Sequence, residues 1–289
     1  CSEMFVNGFL KLIEAGIIRR EVFADVTLQR LLNDDRIPDE SVTRDMLVAL
    51  RDAGRIHSPL TPDDLAFLMR FGIFKPGVRI DGDYLVHEGV PLPNDIVGEA
   101  QLDAIAKVLL GTRLTGGIFM TGGFFLGPND FYERLRSMPP QDLRKIDMTR
   151  IDFINQLYSP HGGESELKRV QRHRARFMNT TMVVTLLGAA ASDALETGQV
   201  VSGVGGQYNF VAMAHALPDA RLLMMLRATH EHKDGVRSSI VWNYGHVTIP
   251  RHLRDIVITE YGVADLRGQP DREVVKRLIA IADSRFQDE

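Results

Sequence analysis

The sequence ITEYGVADLRG, residues 258–268, joins an apolar segment to a carboxylate and a glycine turn. Asp255–Thr259 has the pattern of a buried strand, and Glu260 directly follows it. A carboxylate at the end of a strand in an α/β fold is well placed for a ligand site. Because ordinary loops also carry acidic residues, this stretch taken alone leaves both interpretations open.

The region upstream, residues 176–260, alternates apolar segments with glycine and polar turns. The apolar segments are Met182–Leu187, Val200–Val201, Leu222–Leu226 and Ile240–Val241. These nearly continuous hydrophobic runs predict a sheet that is covered on both faces. A helical pattern begins near Asp271, and its combination with the strands indicates an α/β fold class.

Residues 19–112 are more helical in pattern than the rest, so we expect a separable, mainly helical unit there. The patterns predict helices over 41–53, from Thr61-Pro62 to about Gly72 and over about 95–110, and a hairpin that turns at Asp81-Gly82. Outside this unit they predict helices over 2–15 and 129–137, a strand at Ile118–Met120 and a loop at Ser159–Gly163. In the first helix, Ser2 would be the N-cap and Glu3 would lie in the first turn.

The composition excludes several classes of protein. The 289 residues carry a net charge of −4 with acids and bases interspersed, which argues against binding to nucleic acid or to a membrane surface. The longest apolar runs are too short to span a bilayer. The single cysteine, Cys1, excludes an intrachain disulfide framework and a cysteine zinc site, and it favours a reducing, cytoplasmic location.

The N-terminal residues and a glycine-rich run are both candidates for catalysis. Glu3 either serves only the helix dipole or acts as a nucleophile, and Cys1 would be an N-terminal nucleophile only in a processed chain. The run SGVGGQ, residues 202–207, can present bare backbone N–H groups to an oxyanion, although tight turns use glycine as freely. It is not a Walker loop, and it makes a poor dinucleotide fingerprint because the spacing is wrong and no clear pattern of a helix followed by an acidic residue comes after it.

His230-Glu231-His232 places two histidines on one face of a strand, as a metal site requires. No third ligand has a convincing spacing, so we expect a polar loop and no metal. Lys233 beside them either pairs with a phosphate or carboxylate or is simply solvated.

Residues 258–268 closely resemble the C-terminal signature of the acetyl-CoA hydrolase/transferase family, the coenzyme A transferases of the succinyl-CoA:acetate and 4-hydroxybutyrate type. SGVGGQYNF, residues 202–210, resembles the family's glycine loop, and CSEMFVNG, residues 1–8, resembles the segment that carries its nucleophilic glutamate. The resemblance covers roughly 1–18 and 113–289. It implies the C-terminal half of a class I CoA-transferase, with a NagB/RpiA/CoA-transferase-like fold and residues 19–112 as a mainly helical insertion.

Carried over position by position, the resemblance implies catalytic roles for Glu3, Gly206, Asn155 and Glu260, and coenzyme A contacts for Gly205, Gly206 and Lys233. Glu3 would be the nucleophile, and the backbone N–H of Gly206 would be the oxyanion donor. The family usually has a histidine where this chain has Cys1 and an acid where it has Asn209, and these departures affect substrate identity more than reaction class.

The resemblance implies that coenzyme A moves between an acyl-CoA and a small carboxylic acid through a glutamyl-CoA thioester, with no permanently bound cofactor. Water as the acceptor would make the protein an acyl-CoA hydrolase. A catalytically silent CoA-binding or scaffold protein is the second alternative. The resemblance also implies a homodimer. Because the chain begins without methionine, we expect a fragment whose partner is the missing N-terminal half of the same protein.

Overall fold

The computed structural model describes residues 1–158 and 164–288, so the predicted loop at Ser159–Gly163 lies outside the described residues. The helices in these ranges are α1 (Asn7–Glu14), α2 (Val26–Asn33), α3 (Arg44–Asp52), α4 (Pro62–Arg70), α5 (Glu99–Leu109), α6 (Asn129–Ser137), α7 (Pro140–Leu143), α8 (Ile151–Asn155), α9 (Glu164–Gln171), α10 (Gln207–Ala216) and α11 (Asp271–Ile279). Within the same ranges, no helix has the length and apolar character needed to cross a membrane.

The strands are β1 (Ser2–Val6), β2 (Arg79–Asp81), β3 (Tyr84–His87), β4 (Val90–Pro93), β5 (Met120–Leu126), β6 (Ile146–Met148), β7 (Arg176–Thr180), β8 (Val183–Thr185), β9 (Ala190–Ala191), β10 (Arg221–Met225), β11 (Thr229–His232), β12 (Gly235–Ser238), β13 (Ile240–Val241), β14 (Ile256–Thr259) and β15 (Gly262–Asp265). Across the described residues they form five small sheets, so the fold is mixed α/β.

The chain divides into two compact units. The first comprises residues 1–154 and 158–171, and the second comprises residues 155–157 and 172–289. The division predicted from the sequence, 19–112 apart from 1–18 and 113–289, has different boundaries and stays a prediction.

In the first unit, helices α2 to α5 and the antiparallel sheet β2-β3-β4 surround a core that draws only on residues 23–114. The largest buried side chains of this core include Phe23, Leu28, Leu47, Leu50, Phe71 and Phe74. Helix α4 begins as predicted, because Thr61 and Asp64 cap it reciprocally. The hairpin also turns as predicted, since Gly82 takes a positive φ of 59° between β2 and β3.

The N-terminal segment of the first unit differs from the prediction. Residues 2–6 form strand β1 rather than the first turn of a helix, and α1 starts only at Asn7. Strand β1 pairs in parallel with β5, which in turn pairs with β6. Residues Met4–Val6 are compatible with either state, and backbone pairing with a strand far along the chain selects the extended one. Ser2 is therefore not an N-cap, and Glu3 is a strand residue.

The second unit is built on the sheet β15-β14-β10-β7, in which β14, β10 and β7 are parallel and β15 is antiparallel. One face packs with α10 and α11 into a single core. The prediction that both faces are covered is wrong for β7, because Phe177 is 7% exposed whereas its neighbour Met178 is 65% exposed. Side chains alternate between the two faces of a strand, so Phe177 and Met178 point to opposite sides of the sheet.

Two short sheets complete the second unit: β13-β8-β9 and the hairpin β11-β12. The strand predicted at Val200–Val201 is reduced to a single bridge between Ala194 and Val200. Helix α10 directly follows the glycine run and had not been predicted from the sequence. The sequence of α10, QYNFVAMAHA, lacks a polar stripe, so its periodicity is weak.

Candidate active site

Glu260 lies at the carboxyl edge of the sheet β15-β14-β10-β7, directly after β14. Its Oε2 accepts a hydrogen bond of 2.9 Å from the backbone N–H of Ala228, just beyond β10. Nearer the sheet, the N–H of Leu226 donates to the carbonyl of Ile258 at 3.1 Å. The Glu260 carboxylate therefore adds one more hydrogen bond between the segments that follow β14 and β10, beyond their last backbone hydrogen bond. The Ala228 N–H fixes its position.

A cavity of about 890 Å³ opens at this edge. Its lining residues are Thr181, Met182, Arg227, Thr229, His230, Glu231, Val236, Ser239, Glu260 and Arg285. Thr181 follows β7, Arg227 follows β10 and Glu260 follows β14, so the ends of three parallel strands contribute to it. Parallel sheets commonly bind their ligands at this edge, and the volume suits a small molecule.

The cavity is lined by two arginines, Arg227 and Arg285, and by two glutamates, Glu231 and Glu260. Nothing among the residues that the structure describes pairs with the guanidinium of Arg227. Arg285 is held by Asp283, to which its Nε and one terminal nitrogen each donate at 2.9 Å, while the Tyr261 hydroxyl donates to the same carboxylate at 2.8 Å. The hydrogen bonds from Arg285 and then Tyr261 hold the pKa of Asp283 well below its usual range. Arg227 is therefore the lining group that can bind an anion such as a carboxylate or phosphate.

His230 is placed on the cavity wall by a buried serine. Its Nδ1 lies 3.1 Å from the Oγ of Ser239, which is 2% exposed, and the N–H of Ser239 donates to the carbonyl of Ala228 at 2.8 Å. Burial lowers the pKa of His230 from its ordinary value, and the positive neighbours His232 and Arg237 lower it further. The imidazole is therefore neutral at pH 7 and can accept a proton.

The predicted metal-type motif at residues 230–232 forms strand β11 rather than the predicted polar loop. Strand β11 pairs with β12 as a hairpin, and Lys233 lies in the turn between them. Across residues 1–158 and 164–288, no three histidine, cysteine or acidic side chains gather as a metal site requires.

The glycine run positions the N-terminus of α10. Gly205 has a φ of 59°, the left-handed region that favours glycine, and Gly206 is the N-cap residue of the helix. Within the described chain, the N–H of Gly206 meets no backbone acceptor. The first N–H groups of a helix have no partner in the helix itself, so this turn can donate to an anion or an oxyanion.

Glu3 lies in strand β1, partly buried, on the same side as the fully buried Phe5. The neighbouring strand β5 carries Gly122 and Gly123 opposite it. A Cβ on Gly123 would lie 3.0 Å from the carbonyl oxygen of Glu3, so glycine allows the two backbones to approach closely here. Glu3 is therefore held by a parallel strand pair rather than by a helix terminus.

The predicted site residues fall into different parts of the fold. Glu3 belongs to the first unit, whereas Asn155, Gly205, Gly206, Lys233 and Glu260 belong to the second. Asn155 ends α8. Of these six described residues, Glu260 alone lines the cavity of about 890 Å³. Sequence reasoning had singled out His230 only as part of a possible metal motif. It missed Arg227, Ser239 and Arg285, and the one available signal for these was that Arg227 directly follows an apolar strand.

The comparisons with known proteins identify a family. Residues 127–289 match the family model described as "Acetyl-CoA hydrolase/transferase C-terminal domain". This segment contains Asn155, the glycine run and Glu260, but not Glu3.

Three curated proteins illustrate the similarity. The chain is 26% identical over 166 residues to the 4-hydroxybutyrate coenzyme A transferase of Clostridium kluyveri, which covers 57% of this chain and 35% of that protein. It is 32% identical over 169 residues to the succinyl-CoA:cyclohexane-1-carboxylate CoA transferase of Geobacter metallireducens, with the same coverages of 57% and 35%. It is 32% identical over 106 residues to the acetyl-CoA hydrolase of Kluyveromyces lactis, covering 35% and 19%. The matched part of the chain spans about a third of the first two relatives.

Proposed function

Because the chain belongs to the acetyl-CoA hydrolase/transferase family, whose C-terminal domain it contains, we propose that it is a coenzyme A transferase. It moves coenzyme A between an acyl-CoA and a small carboxylic acid through a glutamyl-CoA thioester on Glu3. The observation that carries the proposal is the family match over residues 127–289, the segment that holds Glu260 at the cavity and Gly206 at a helix N-terminus.

The reaction begins with attack of the Glu3 carboxylate on the carbonyl carbon of the acyl-CoA thioester. The carbon–sulfur bond breaks, which leaves an acyl-glutamyl anhydride and coenzyme A thiolate. The thiolate then attacks the glutamyl carbonyl, so that a Glu3–CoA thioester forms and the original acid leaves as a carboxylate. A second carboxylate reverses these steps. Covalent catalysis suits this exchange because the anhydride and the thioester both conserve the activation of the acyl group.

Each addition step places negative charge on a carbonyl oxygen. The N–H of Gly206, rigid at the N-cap of α10, is our choice of donor to that oxygen. Asn155 is assigned the task of orienting the Glu3 carboxylate through its amide N–H. Gly205, whose φ is positive, and Lys233, in the hairpin turn, are assigned contacts to coenzyme A.

The cavity beside Glu260 is our proposed site for the acid that enters or leaves. Arg227 has no partner among the described residues, so its guanidinium is available for a substrate carboxylate. Glu260 is fixed by the Ala228 N–H and acts as an orienting group. His230 and Ser239 supply a neutral, hydrogen-bonding wall.

The direct test is the fate of Glu3. After incubation with an acyl-CoA and treatment with borohydride or hydroxylamine, mass spectrometry should locate the modification on Glu3. Glu3→Gln should lower the transfer rate at least ~1,000-fold, because the nucleophile is lost. Glu14→Gln is the matched control, since Glu14 makes only an exposed ion pair with Arg134. Full transfer by Glu3→Gln would disprove the assignment.

Hydrolysis is the second candidate function, and the similarity to an acetyl-CoA hydrolase favours it. The site would stay the same, with water replacing the acceptor carboxylate and His230 assigned to take its proton. One acyl-CoA, assayed with and without added acid, separates the two. A transferase consumes the acyl-CoA only when the acid is present and yields a new acyl-CoA rather than free coenzyme A, whereas a hydrolase releases free coenzyme A at the same rate with or without the acid.

The finer architecture belongs to the same proposal. We assign the chain a class I CoA-transferase fold of the NagB/RpiA type, with residues 19–112 inserted as a mainly helical unit, a homodimeric assembly and a cytoplasmic location. The self-contained core of residues 23–114 supports the insertion, because it draws on no residue outside that range.

A further inference from the structure

A second cavity, of about 410 Å³, lies in the second unit. Its lining residues are Leu186, Arg237, Ser238, Ile240, Val241, Trp242, Ile279, Ala282, Phe286 and Gln287. Seven of these ten side chains are apolar, and the three polar ones include a cation. An apolar wall with a few polar groups is typical of a site for a planar, partly charged small molecule.

Trp242 is the most informative of these residues. It is 82% exposed, although indole is among the largest apolar groups that a protein can bury. It immediately follows β13, so a short paired strand anchors its backbone while its ring stays open to solvent. An exposed aromatic ring on the rim of an apolar cavity offers a surface on which a heterocyclic base can stack.

Arg237 gives the same cavity a positive charge. Its guanidinium is 56% exposed and makes one long ion pair, 3.4 Å, with Asp234. Such a weak exposed pair leaves the guanidinium free to take a stronger anion. A phosphate group is the anion that its planar fork fits well. Trp242 and Arg237 together therefore fit a base that carries a phosphate.

The position of the cavity relates it to the one beside Glu260. Val236 and Ser239 line the cavity of about 890 Å³, whereas Arg237, Ser238 and Ile240 line the cavity of about 410 Å³. The two cavities thus flank the same short stretch of chain.

We propose that the cavity bounded by Trp242 and Arg237 binds the adenine nucleotide end of coenzyme A, with the base on Trp242 and a phosphate on Arg237. This inference rests on the proposed function, which supplies coenzyme A as substrate. It assigns to Trp242 and Arg237 a binding role that is separate from the chemistry at Glu3.

The chain offers a clean test because Trp242 is its single tryptophan. Adenosine 3′,5′-bisphosphate, the nucleotide portion of coenzyme A, should quench the tryptophan fluorescence in a saturable way. Coenzyme A should do the same, and pantetheine, which lacks the nucleotide, should not. 5′-AMP should bind more weakly than the bisphosphate, because one phosphate is absent.

Variants separate the two contacts. By calorimetry, Trp242→Ala and Arg237→Gln should each weaken bisphosphate binding by about tenfold. Arg272→Gln, which changes an exposed arginine outside both cavities, should not. In a transfer assay Arg237→Gln should raise the KM for acyl-CoA and leave kcat unchanged, as a uniform binding contact does. Thermal melting should be unchanged in all three variants, since their side chains are exposed.

Absence of quenching by the bisphosphate, or equal binding of 5′-AMP and the bisphosphate, would overturn the inference. Unchanged bisphosphate affinity in Arg237→Gln would overturn the role of that residue. These results are independent of activity. A chain that binds the bisphosphate but transfers no acyl group would refute the proposed function instead, and a chain that transfers without quenching would refute only the nucleotide site.

Discussion

The core of residues 23–114 and the cavity edge of the second unit use similar polar residues in opposite ways. Asp64 is 2% exposed and accepts hydrogen bonds from Thr61 and His57. Asn94, 9% exposed, exchanges two hydrogen bonds with the backbone of Leu60. At the cavity edge, Glu260 has one backbone partner. In the first region the buried polar side chains therefore spend their hydrogen bonds on nearby backbone and side chains. In the second region Glu260 keeps hydrogen-bonding capacity for a ligand.

Removal of Asp64 is expected to have the largest effect on stability. Asp64→Ala should lower the free energy of unfolding in urea by about 2–3 kcal/mol, because the reciprocal half of the capping box is lost and the backbone N–H groups of Thr61 and His57 lose their acceptor. Asp63→Ala is the matched control, since Asp63 is exposed in the same helix turn. If Asp64→Ala also lowered the transfer rate of the folded protein, the contrast between the two regions would not hold.

The same carboxylate should make stability depend on pH. Burial raises the pKa of Asp64, but hydrogen bonds from Thr61 and His57 outweigh it, and the pKa lies below its ordinary value. A lowered pKa gives stability that is fully present above the unfolded pKa, about 3.9, and is lost as the pH falls through the folded pKa. The difference between the wild type and Asp64→Ala should therefore shrink in urea titrations below about pH 4. A stability difference that stays constant as the pH falls would contradict this prediction.

Glu260→Gln, in the second unit, should show the opposite pattern: little change in stability and a lower kcat. Glutamine keeps an acceptor for the Ala228 N–H, so stability should change by less than about 0.5 kcal/mol. Loss of the charge should lower kcat by about tenfold, if the carboxylate orients the reacting groups. Glu273→Gln, in the first turn of α11, is the control. The free energy of unfolding and kcat, measured on the same preparations, test this prediction. A loss of stability without a change in kcat would show that Glu260 has only a structural role.

The smallest expected effect is on the titration of His230. Arg237 is one of the positive neighbours that lower its pKa, after burial and His232. Arg237→Gln should therefore raise the pKa of His230 toward its ordinary value, while burial keeps it below that value. Histidine NMR signals followed between pH 5 and 8 measure this shift. A lowered pKa in the variant would show that Arg237 does not act on the imidazole through charge.

Local signals predicted local structure well. The helix start at Thr61-Pro62 and the turn at Asp81-Gly82 were correct because the residues that specify them are neighbours in sequence. The helix predicted from Ser2 was wrong because β5, more than a hundred residues away, pairs with that segment. Helix α10 was missed because its apolar residues leave no polar stripe.

The candidate site shows the same difference between features set by neighbouring residues and features set by distant ones. Glu260 was predicted at a strand end and lies there, since the apolar strand before it is a local pattern. Arg227 and His230 could not be associated with it, because the order β14-β10-β7 brings their segments together and that order is a property of the whole sheet. The contact between His230 and Ser239 is closer in sequence, since it joins the two sides of the hairpin β11-β12, but the sequence analysis had predicted a polar loop there rather than paired strands.

The hairpin β11-β12 has a consequence for protein engineering. Its two strands pair with each other in a two-stranded sheet that is separate from the central one, and residues of the hairpin and its flanks face both cavities. The segment is therefore a natural cassette: libraries confined to residues 229–238 can exchange ligand preference without repacking the core of the second unit. Directed evolution of acyl selectivity is best started there.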